Sequence, residues 1–264
     1  MATPYKHLKL TAQDRICRVT LSRPEVHNAF NAELIEELRS AFEEVSDHSP
    51  GEIRAVVLAG EGPSFCAGAD VNWMRASLNM TEEDNVQDAL SMARMFDTIN
   101  RCPVPVVGRV HGLALGGGVG LVAVCDVVVA AQDARFAFSE AKLGIIPAVI
   151  SPDVLAIIGR GHARALFLTA ERFDADRAAR IGLVHVVVPP DHLDEEVERV
   201  LKELKSSAPT AVVRAKELIA TVPGLPPHEV MMYTARTIAS LRVGEEGQEG
   251  LRAFIEKRRP RWVE

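Results

Sequence analysis

A glycine-rich run in the middle of the chain, followed by a single glutamate, holds the residues best suited to chemistry. The run reads His111-Gly-Leu-Ala-Leu-Gly-Gly-Gly-Val-Gly-Leu-Val-Ala-Val-Cys-Asp126, and Phe138-Ser-Glu140 follows it. Glycine costs roughly 0.5–1 kcal/mol relative to alanine inside a helix, so glycines at 116, 117, 118 and 120 indicate close approach to the backbone. The pattern predicts a ligand held by backbone N–H groups.

A second loop has a similar character. It reads Gly60-Glu-Gly-Pro-Ser-Phe-Cys-Ala-Gly-Ala-Asp70 and follows the apolar residues 55–59, whereas the glycine-rich run follows the apolar residues 104–110. Ligands of open α/β sheets bind beyond the carboxyl ends of the strands, so the two loops are predicted to converge there. Two donors on one oxygen form an oxyanion hole, in which each donor typically contributes roughly 3–4 kcal/mol to the transition state. Each loop taken alone is equally typical of a tight turn.

Nucleotide and metal sites are not indicated. The glycines run GGGxG rather than GxGxxG, and GxxxxGK[ST] is absent from the sequence, so neither dinucleotide nor P-loop binding is predicted. The eight histidines are scattered, and we predict no metal. The four cysteines are far apart and are interpreted as small buried hydrophobes rather than zinc ligands or disulfides: Cys17, Cys66, Cys102 and Cys125.

The elements that must position these loops alternate regularly along the chain. A hairpin at residues 8–21 is followed by a helix that begins with Asn31 as its N-cap and ends at Ser49-Pro50-Gly51, and then by further strands and helices. This order predicts an α/β fold with a largely parallel sheet. The later predicted segments are a strand at 53–59, a helix at 81–100, a strand at 104–110, the glycine-rich helix and a strand at 127–131.

The pattern becomes purely helical after about residue 190. Four amphipathic segments follow, at residues 192–206, 209–220, 227–241 and 245–257. A tail of this kind cannot cover the apolar faces of its helices by itself. We therefore predict two regions: a core at 1–190 that holds the ligand site, and a helical region at 191–264 that packs on the core or on another subunit.

Composition limits the partners. The chain has 264 residues, 47% hydrophobic and 25% charged, with a net charge of −6 and no long basic run, which argues against nucleic acid and anionic membranes. The first residues contain no apolar signal region, and no uncharged run approaches the roughly 18 residues that span a bilayer. A cytoplasmic protein without nucleic-acid or membrane partners is the expectation.

Six strings in this order resemble the enoyl-CoA hydratase/isomerase (crotonase) family over nearly the whole chain. The resemblance implies a spiral of ββα repeats, a C-terminal helical trimerisation region and a homotrimer or homohexamer. The strings are Arg23-Pro-Glu-Val-His-Asn-Ala29, Phe65-Cys-Ala-Gly-Ala-Asp70, His111-Gly-Leu-Ala-Leu-Gly-Gly-Gly118, Ala134-Arg-Phe-Ala-Phe-Ser-Glu140, Leu143-Gly-Ile-Ile-Pro147 and Glu249-Gly-Leu-Arg-Ala-Phe-Ile-Glu-Lys257.

The resemblance also implies roles for individual residues. The N–H groups of Ala69 and Gly117 would hold the oxygen of an acyl-CoA thioester, and Glu140 would handle the proton. Phe254 and Lys257 match positions that contact the CoA bound to a neighbouring subunit. Because CoA is part of the substrate, no separate cofactor is expected. The residues expected along the CoA or the acyl group are Arg23, His27, Ala29, Ala67, Gly68, Asp70, Val71, Trp73, Gly116 and Pro147.

One position departs from the family pattern. Hydratases of this family commonly carry a second glutamate two residues after the glycine triplet, where this chain has Gly120. With two carboxyl groups, one orients water while the other supplies a proton, so a single glutamate needs help. The candidate helpers in or near the matching loops, each of which fits a structural role better, are His111, Glu61, Asp153 and Ser151.

The sequence favours addition of water across the 2,3 double bond of an enoyl-CoA. Gly68-Ala-Asp-Val-Asn-Trp-Met-Arg75 and Leu143-Gly-Ile-Ile-Pro-Ala-Val-Ile-Ser-Pro152 are similar to bacterial methylglutaconyl-CoA hydratases, which implies a branched or carboxylated acyl group. A Δ3,Δ2-enoyl-CoA isomerase is the alternative activity, because one base can shuttle one proton between two carbons. A non-catalytic CoA-ester-binding scaffold is the third hypothesis.

Overall fold

The structure, a computed structural model that describes residues 5–48 and 51–263, is built on a mostly parallel sheet. With strands numbered in chain order, the sheet runs β1 (Leu8–Gln13), β2 (Ile16–Leu21), β3 (Ala55–Gly60), β4 (Val106–Val110), β6 (Val127–Ala131) and β9 (Val186–Val188). Only β1 and β2 pair antiparallel, as a hairpin. The predicted hairpin and α/β class are confirmed, and the helix stop predicted at Ser49 and Pro50 lies outside the described residues.

Burial explains why these segments form strands. All six residues of β3 are buried, as expected for a parallel strand covered on both faces. The β1–β2 turn is made by Asp14 and Arg15, whose φ angles of 51° and 63° are left-handed. Aspartate tolerates this region better than most residues, which places the reversal at this point in the chain.

A smaller sheet of three short strands lies beside the first. It consists of β5 (Leu113–Leu115), β7 (Arg135–Ala137) and β8 (Phe173–Asp174), in which β5 and β7 run parallel. Residues 112–118 were therefore wrongly predicted to be loop throughout. A three-residue strand is too short for an alternating pattern to reveal it. In successive strand–strand–helix units, β4 and β6 join the large sheet whereas β5 and β7 join the small one.

The helices follow one another along the chain in the order predicted from the sequence. Asn31 caps the first helix by accepting the N–H of Leu34 at 2.8 Å, as predicted. The helices are α1 (Ala32–Ser46), α2 (Val71–Ser77), α3 (Glu82–Asn100), α4 (Gly117–Ala123), α5 (Ser151–Thr169), α6 (Ala175–Arg180), α7 (Leu193–Ser206), α8 (Pro209–Thr221), α9 (Pro227–Val243) and α10 (Glu245–Ile255).

Apolar side chains cover both faces of the large sheet. The larger cluster includes residues of α1, α3, α4 and α5, and Phe30 contacts Phe96 edge to face with ring centroids 6.3 Å apart. On the other face, Leu193, Val197 and Leu201 of α7 pack against the sheet. The first helix of the tail thus packs on the core of its own chain. All four cysteines are buried and free, as predicted: Cys17, Cys66, Cys102 and Cys125.

The last three helices present apolar side chains to solvent. Neither α8 nor α9 contains a buried residue in the described chain. The exposed fraction is 81% for Met231 and 83% for Phe254. No helix of the described residues combines the length and the apolar character needed to cross a membrane.

Candidate active site

Two loops lie edge to edge where β3 and β4 end. Cys66 joins them: its N–H donates to the carbonyl of Leu113 at 2.9 Å, and its own carbonyl accepts the N–H of Leu115 at 3.0 Å. Because β3 and β4 are parallel neighbours, the loops that follow them leave the same edge of the sheet. The predicted convergence of the two loops is confirmed.

The N–H of Ala69 faces a cleft. The residues on either side of Ala69 both form hydrogen bonds with Phe30. The N–H of Phe30 donates to the carbonyl of Gly68 at 2.6 Å, and the carbonyl of Phe30 accepts the N–H of Asp70 at 2.9 Å. Phe30 and Ala69 form an isolated parallel bridge in which both hydrogen bonds go to the residues on either side of Ala69, so the N–H of Ala69 itself is turned away from Phe30. Within the described part of the chain it has no acceptor.

The second free donor belongs to Gly117, the first residue of α4. The first N–H groups of a helix have no intrahelical acceptor, and that of Gly117 finds none elsewhere among the described residues. Gly116, just before it, has a φ of +50°, and a Cβ there would lie 3.2 Å from Oε1 of Glu140. The glycine at 116 thus allows both the turn and the close approach of Glu140.

Glu140 lies on a short 3₁₀ helix, Ser139–Leu143, that follows β7. Its Oε2 atom is buried and has no hydrogen-bond partner among the described residues. Burial raises the pKa of the Glu140 carboxyl above its ordinary value, because the charged form is the more strongly desolvated one. A carboxyl group in this state can supply a proton nearer to neutral pH than an exposed glutamate.

These groups open on one cavity of about 430 Å³. Most of its lining is apolar, and no lysine, arginine or histidine is among the residues that line it in the described chain. Leu143, Ile145 and Ile146 form an exposed apolar rim beside Glu140. Eight of the predicted site residues line this cavity: Ala67, Gly68, Ala69, Trp73, Gly116, Gly117, Glu140 and Pro147.

A second carboxyl group lines the same cavity, and the sequence interpretation missed it. Asp88 of α3 accepts the indole N–H of Trp73 on Oδ1 at 3.2 Å. Burial raises the pKa of Asp88. The spacing of residues on α3 could have identified it. Asp88 precedes Met92 by four residues and Phe96 by eight, so all three lie on the helix face that is turned towards the protein interior.

The space beside Gly120 is filled. A Cβ at this position would lie 2.4 Å from Cγ2 of Ile150 and 2.8 Å from Cζ of Phe96. Real Cβ atoms do not approach other heavy atoms this closely, so a side chain here requires the core to move. The chain therefore lacks a second glutamate at this position and also has no room for one.

Arg23, expected along the CoA, is buried. Its Nη2 donates to Oδ2 of Asp70 at 2.8 Å, and Nη1 donates to the carbonyl of Ala29. Asp70 in turn caps α2 by accepting the N–H of Asn72 at 2.8 Å. Burial opposes ionisation of Asp70, but the hydrogen bonds from Asn72 and Arg23 prevail and lower its pKa. In this position the Arg23 side chain holds the loop that carries Ala69.

The other predicted contact residues lie outside the cavity. His27 is exposed, and its carbonyl accepts the N–H of Ala67 at 2.9 Å, which places it beside one cavity-lining residue. Val71 is exposed at the start of α2. Phe254 lies in the last turn of α10 and Lys257 lies two residues beyond its end; both are exposed, and neither lines the cavity of its own chain within the residues described.

None of the four candidate helpers lines the cavity within the described chain. His111 bonds through Nε2 to the carbonyl of Gly62 at 2.8 Å, and Glu61 accepts the hydroxyl of Ser22 at 2.6 Å. Asp153 accepts the amide of Asn100 at 2.9 Å, and Ser151 donates to a backbone carbonyl of its own turn. Each has the structural role that the sequence favoured.

Comparisons with known proteins agree with this geometry. A family model described as enoyl-CoA hydratase/isomerase matches residues 11–264. The chain is 31% identical to a short-chain-enoyl-CoA hydratase of Clostridium acetobutylicum, covering 95% of each chain. It is 30% identical to a crotonyl-CoA hydratase of Syntrophomonas wolfei, covering 98% of each.

A solved structure is similar throughout. The crystal structure of an enoyl-CoA hydratase from Shewanella pealeana superposes with a TM-score of 0.93 at 37% identity, covering 98% of this chain and 97% of the other. At this similarity the two proteins share the same fold.

Gly120→Glu should destabilise the protein. The new side chain would overpack the core against Ile150 and Phe96, which typically costs about 1–3 kcal/mol in free energy of unfolding. Urea denaturation at fixed pH measures the change. Gly161→Ala is the matched control, because a Cβ at this position, two residues after the break in α5 at Gly159, meets nothing within 4 Å and should change the free energy of unfolding by no more than about 0.5 kcal/mol. A Gly120→Glu variant as stable as the parent would contradict the closed packing.

Glu140→Gln should become more stable than the parent as the pH rises. Because burial raises the folded-state pKa of Glu140, its stabilisation is complete below the ordinary value of 4.5 and is lost as the pH rises through the folded-state value. The glutamine stays neutral, so the difference in free energy of unfolding should grow in its favour towards neutral pH.

Urea denaturation across the acidic and neutral range tests this expectation. Glu196→Gln is the control of opposite sign, because the hydrogen bond from Arg199 lowers the pKa of Glu196. That variant should lose stability relative to the parent over its titration range. A pH-independent difference for Glu140→Gln would show that folding does not raise the pKa of Glu140.

Proposed function

The chain belongs to the enoyl-CoA hydratase/isomerase family of enzymes, and we propose that it adds water reversibly across the 2,3 double bond of an enoyl-CoA thioester. The observation that carries the proposal is that Ala69 and Gly117, whose N–H groups have no acceptor among the described residues, line the cavity that also holds Glu140. The names of the related hydratases support the same reaction class.

The two N–H groups suit the charge that this reaction develops. When water attacks C3 of an α,β-unsaturated thioester, electron density moves onto the carbonyl oxygen. Donors fixed at Ala69 and Gly117 would stabilise that oxygen more in the transition state than in the substrate. Both donors are set by backbone pairing, through Phe30 and Cys66, so they need no rearrangement when charge appears.

Glu140 suits the proton transfer. Burial raises its pKa, which brings its proton exchange nearer to neutral pH, and Oε2 has no competing partner within the described residues. In the direction of hydration Glu140 would donate this proton to C2, and in the reverse direction it would remove it. Positioned acid–base groups typically contribute about 10²- to 10⁴-fold to the rate.

The cavity favours an apolar acyl group. Its lining includes Met74, Met92 and Val149, and no basic side chain lines it in the described chain. A short or branched acyl chain would therefore bury its surface favourably. The carboxylate of a 3-methylglutaconyl group would have to reach solvent or another subunit, because nothing in the cavity lining offers it a cation.

Isomerisation is the second candidate, and the closed space beside Gly120 favours it. A Δ3,Δ2-enoyl-CoA isomerase needs one base that takes a proton from C2 and returns it to C4, with the same oxygen held by two donors. Glu140, Ala69 and Gly117 would be sufficient for that reaction, since it involves no water.

A panel of CoA thioesters tests these proposals. Purified protein should convert crotonyl-CoA to a product heavier by one water, with loss of the absorbance of the conjugated thioester. Glu140→Gln should lower kcat by about 10²- to 10⁴-fold while binding of the CoA ester persists. Glu61→Gln is the matched control, since its carboxyl lies outside the cavity and should change kcat by no more than about two-fold.

The products distinguish the alternatives. Conversion of a 3-enoyl-CoA to the 2-enoyl form without hydration would establish the isomerase instead. Tight CoA-ester binding without turnover would indicate a non-catalytic scaffold, and full activity of Glu140→Gln would remove Glu140 from the mechanism.

The chain is further proposed to act as a homotrimer or homohexamer, in which Phe254 and Lys257 of one subunit contact the CoA held by another. The support is the exposure of apolar residues on the last helices, which is expensive in a monomer. The CoA itself would run past Ala67 and His27, which are joined by a backbone hydrogen bond at the edge of the cavity.

Light scattering coupled to size exclusion should give a mass three or six times that of the 28.7 kDa chain. Met231→Asp should dissociate the assembly, because it would bury a charge at a contact on α9. Leu78→Asp has the same 81% exposure outside the tail helices and should leave the mass unchanged. A monomeric parent protein would contradict the proposal.

A further inference from the structure

We propose that Asp88 is the second catalytic carboxyl group of this site, accepting a proton from the attacking water while Glu140 protonates C2. This inference rests on the proposed hydration. Addition of water involves two proton movements, one from the water and one to carbon, and each needs a positioned group. Among the described residues, Asp88 and Glu140 are the two carboxyl groups that line the cavity.

The helix that carries Asp88 turns it towards the cavity. Asn85, Asp88, Ala89 and Met92 of α3 all line the cavity, at the spacing of one helical face. One turn further on, Met95 and Phe96 are fully buried in the core. The inward direction of this face is therefore fixed by the packing of the second half of the helix.

A hydrogen bond holds the carboxyl group in place and leaves one oxygen available. The indole Nε1 of Trp73 donates to Oδ1 of Asp88 at 3.2 Å. Oδ2 makes no hydrogen bond to any described residue, so it can accept a proton from a water molecule. Asp88 and Trp73 come from separate helices, and their contact links α3 to α2.

Asp88 has no charged partner among the described residues. Its half-buried side chain has no ion pair in the described chain, and no cation lines the cavity. Partial burial of an unpaired carboxyl costs free energy, which evolution tolerates most readily where the group is used. Glu140 shares these properties, and burial raises the pKa of both groups.

Helix α3 also explains why the second carboxyl is located here. Phe96 fills the space beside Gly120, where the family pattern places a second glutamate. Asp88 lies two turns earlier on the same face. One helix thus closes the usual position with an aromatic ring and offers a carboxyl group at another point of the same cavity.

The step balances without another reactant. Water oxygen bonds to C3, the π electrons of the C2–C3 bond move towards the thioester oxygen, and one water proton passes to Asp88. Glu140 then protonates C2, so that the product has gained one H and one OH. The proton on Asp88 returns to Glu140 through solvent before the next cycle.

Two reactions of the same purified protein separate the roles. Hydration of crotonyl-CoA needs both carboxyl groups, whereas exchange of the α-protons of butyryl-CoA with D₂O needs one base and the oxyanion donors. Asp88→Asn should lower kcat for hydration by about 10²-fold or more and leave the exchange rate within about three-fold of the parent. Glu140→Gln should abolish both reactions.

Two further variants exclude indirect effects. Asp97→Asn changes an exposed carboxyl of the same helix, paired with Arg101, and should leave both reactions unchanged. Trp73→Phe removes the indole donor but keeps the carboxyl, and should lower kcat for hydration less than Asp88→Asn does. If Trp73→Phe and Asp88→Asn lose hydration equally, Asp88 acts by holding α2 and the proposal is overturned.

The remaining outcomes distinguish the proposals. If the parent hydrates crotonyl-CoA and Asp88→Asn does so equally well, the role of Asp88 fails while the proposed function stands. If the parent exchanges α-protons but hydrates no member of the thioester panel, the proposed function fails, and the role of Asp88 in a water step fails with it.

Discussion

The site depends on the pairing of Cys66 with β5. Two backbone hydrogen bonds, to Leu113 and from Leu115, hold the loop after β3 against the strand that leads into α4. Ala69 lies three residues beyond Cys66, and Gly117 lies two residues beyond Leu115, so both donors are positioned by the same short ladder. Because main-chain atoms make the ladder, the spacing of the donors depends little on side-chain rotamers.

Two further contacts, made by Phe30 and by Arg23, hold the loop that carries Ala69 in place. Phe30 pairs with residues on both sides of Ala69, and the buried ion pair of Arg23 with Asp70 fixes the point where α2 begins. Breaking one partner of a buried pair typically costs about 3–5 kcal/mol, since the other charge is left unpaired. Around Glu140 and Asp88 the situation differs: burial raises the pKa of both carboxyl groups, and no basic side chain of the described residues lines their cavity.

The sequence predicted the features that repeat or that rely on local capping. Runs of apolar residues indicated the long strands, and Asn31 indicated the start of α1. The short strand β5 was missed because three residues contain no period. The family resemblance placed Arg23 along the CoA, but it gave no sign of the ion pair with Asp70, which is 47 residues away and is brought to Arg23 only by the fold. Asp88 was missed for the same reason. Its spacing in the sequence defines one face of a helix, but only the fold shows that this face lines the cavity that holds Glu140. Likewise Ile150 and Phe96, which close the space at Gly120, are distant in sequence.

The exposed rim of Leu143, Ile145 and Ile146 gives the site a thermodynamic property of its own. In the free chain these side chains face water close to Glu140, so the carboxyl is desolvated only in part. An apolar acyl group bound against the rim would remove more water from Glu140 and raise its affinity for a proton. Proton uptake and ligand binding would then be linked reciprocally: the free energy by which protonation of Glu140 tightens binding of the acyl chain equals the free energy by which the acyl chain favours protonation.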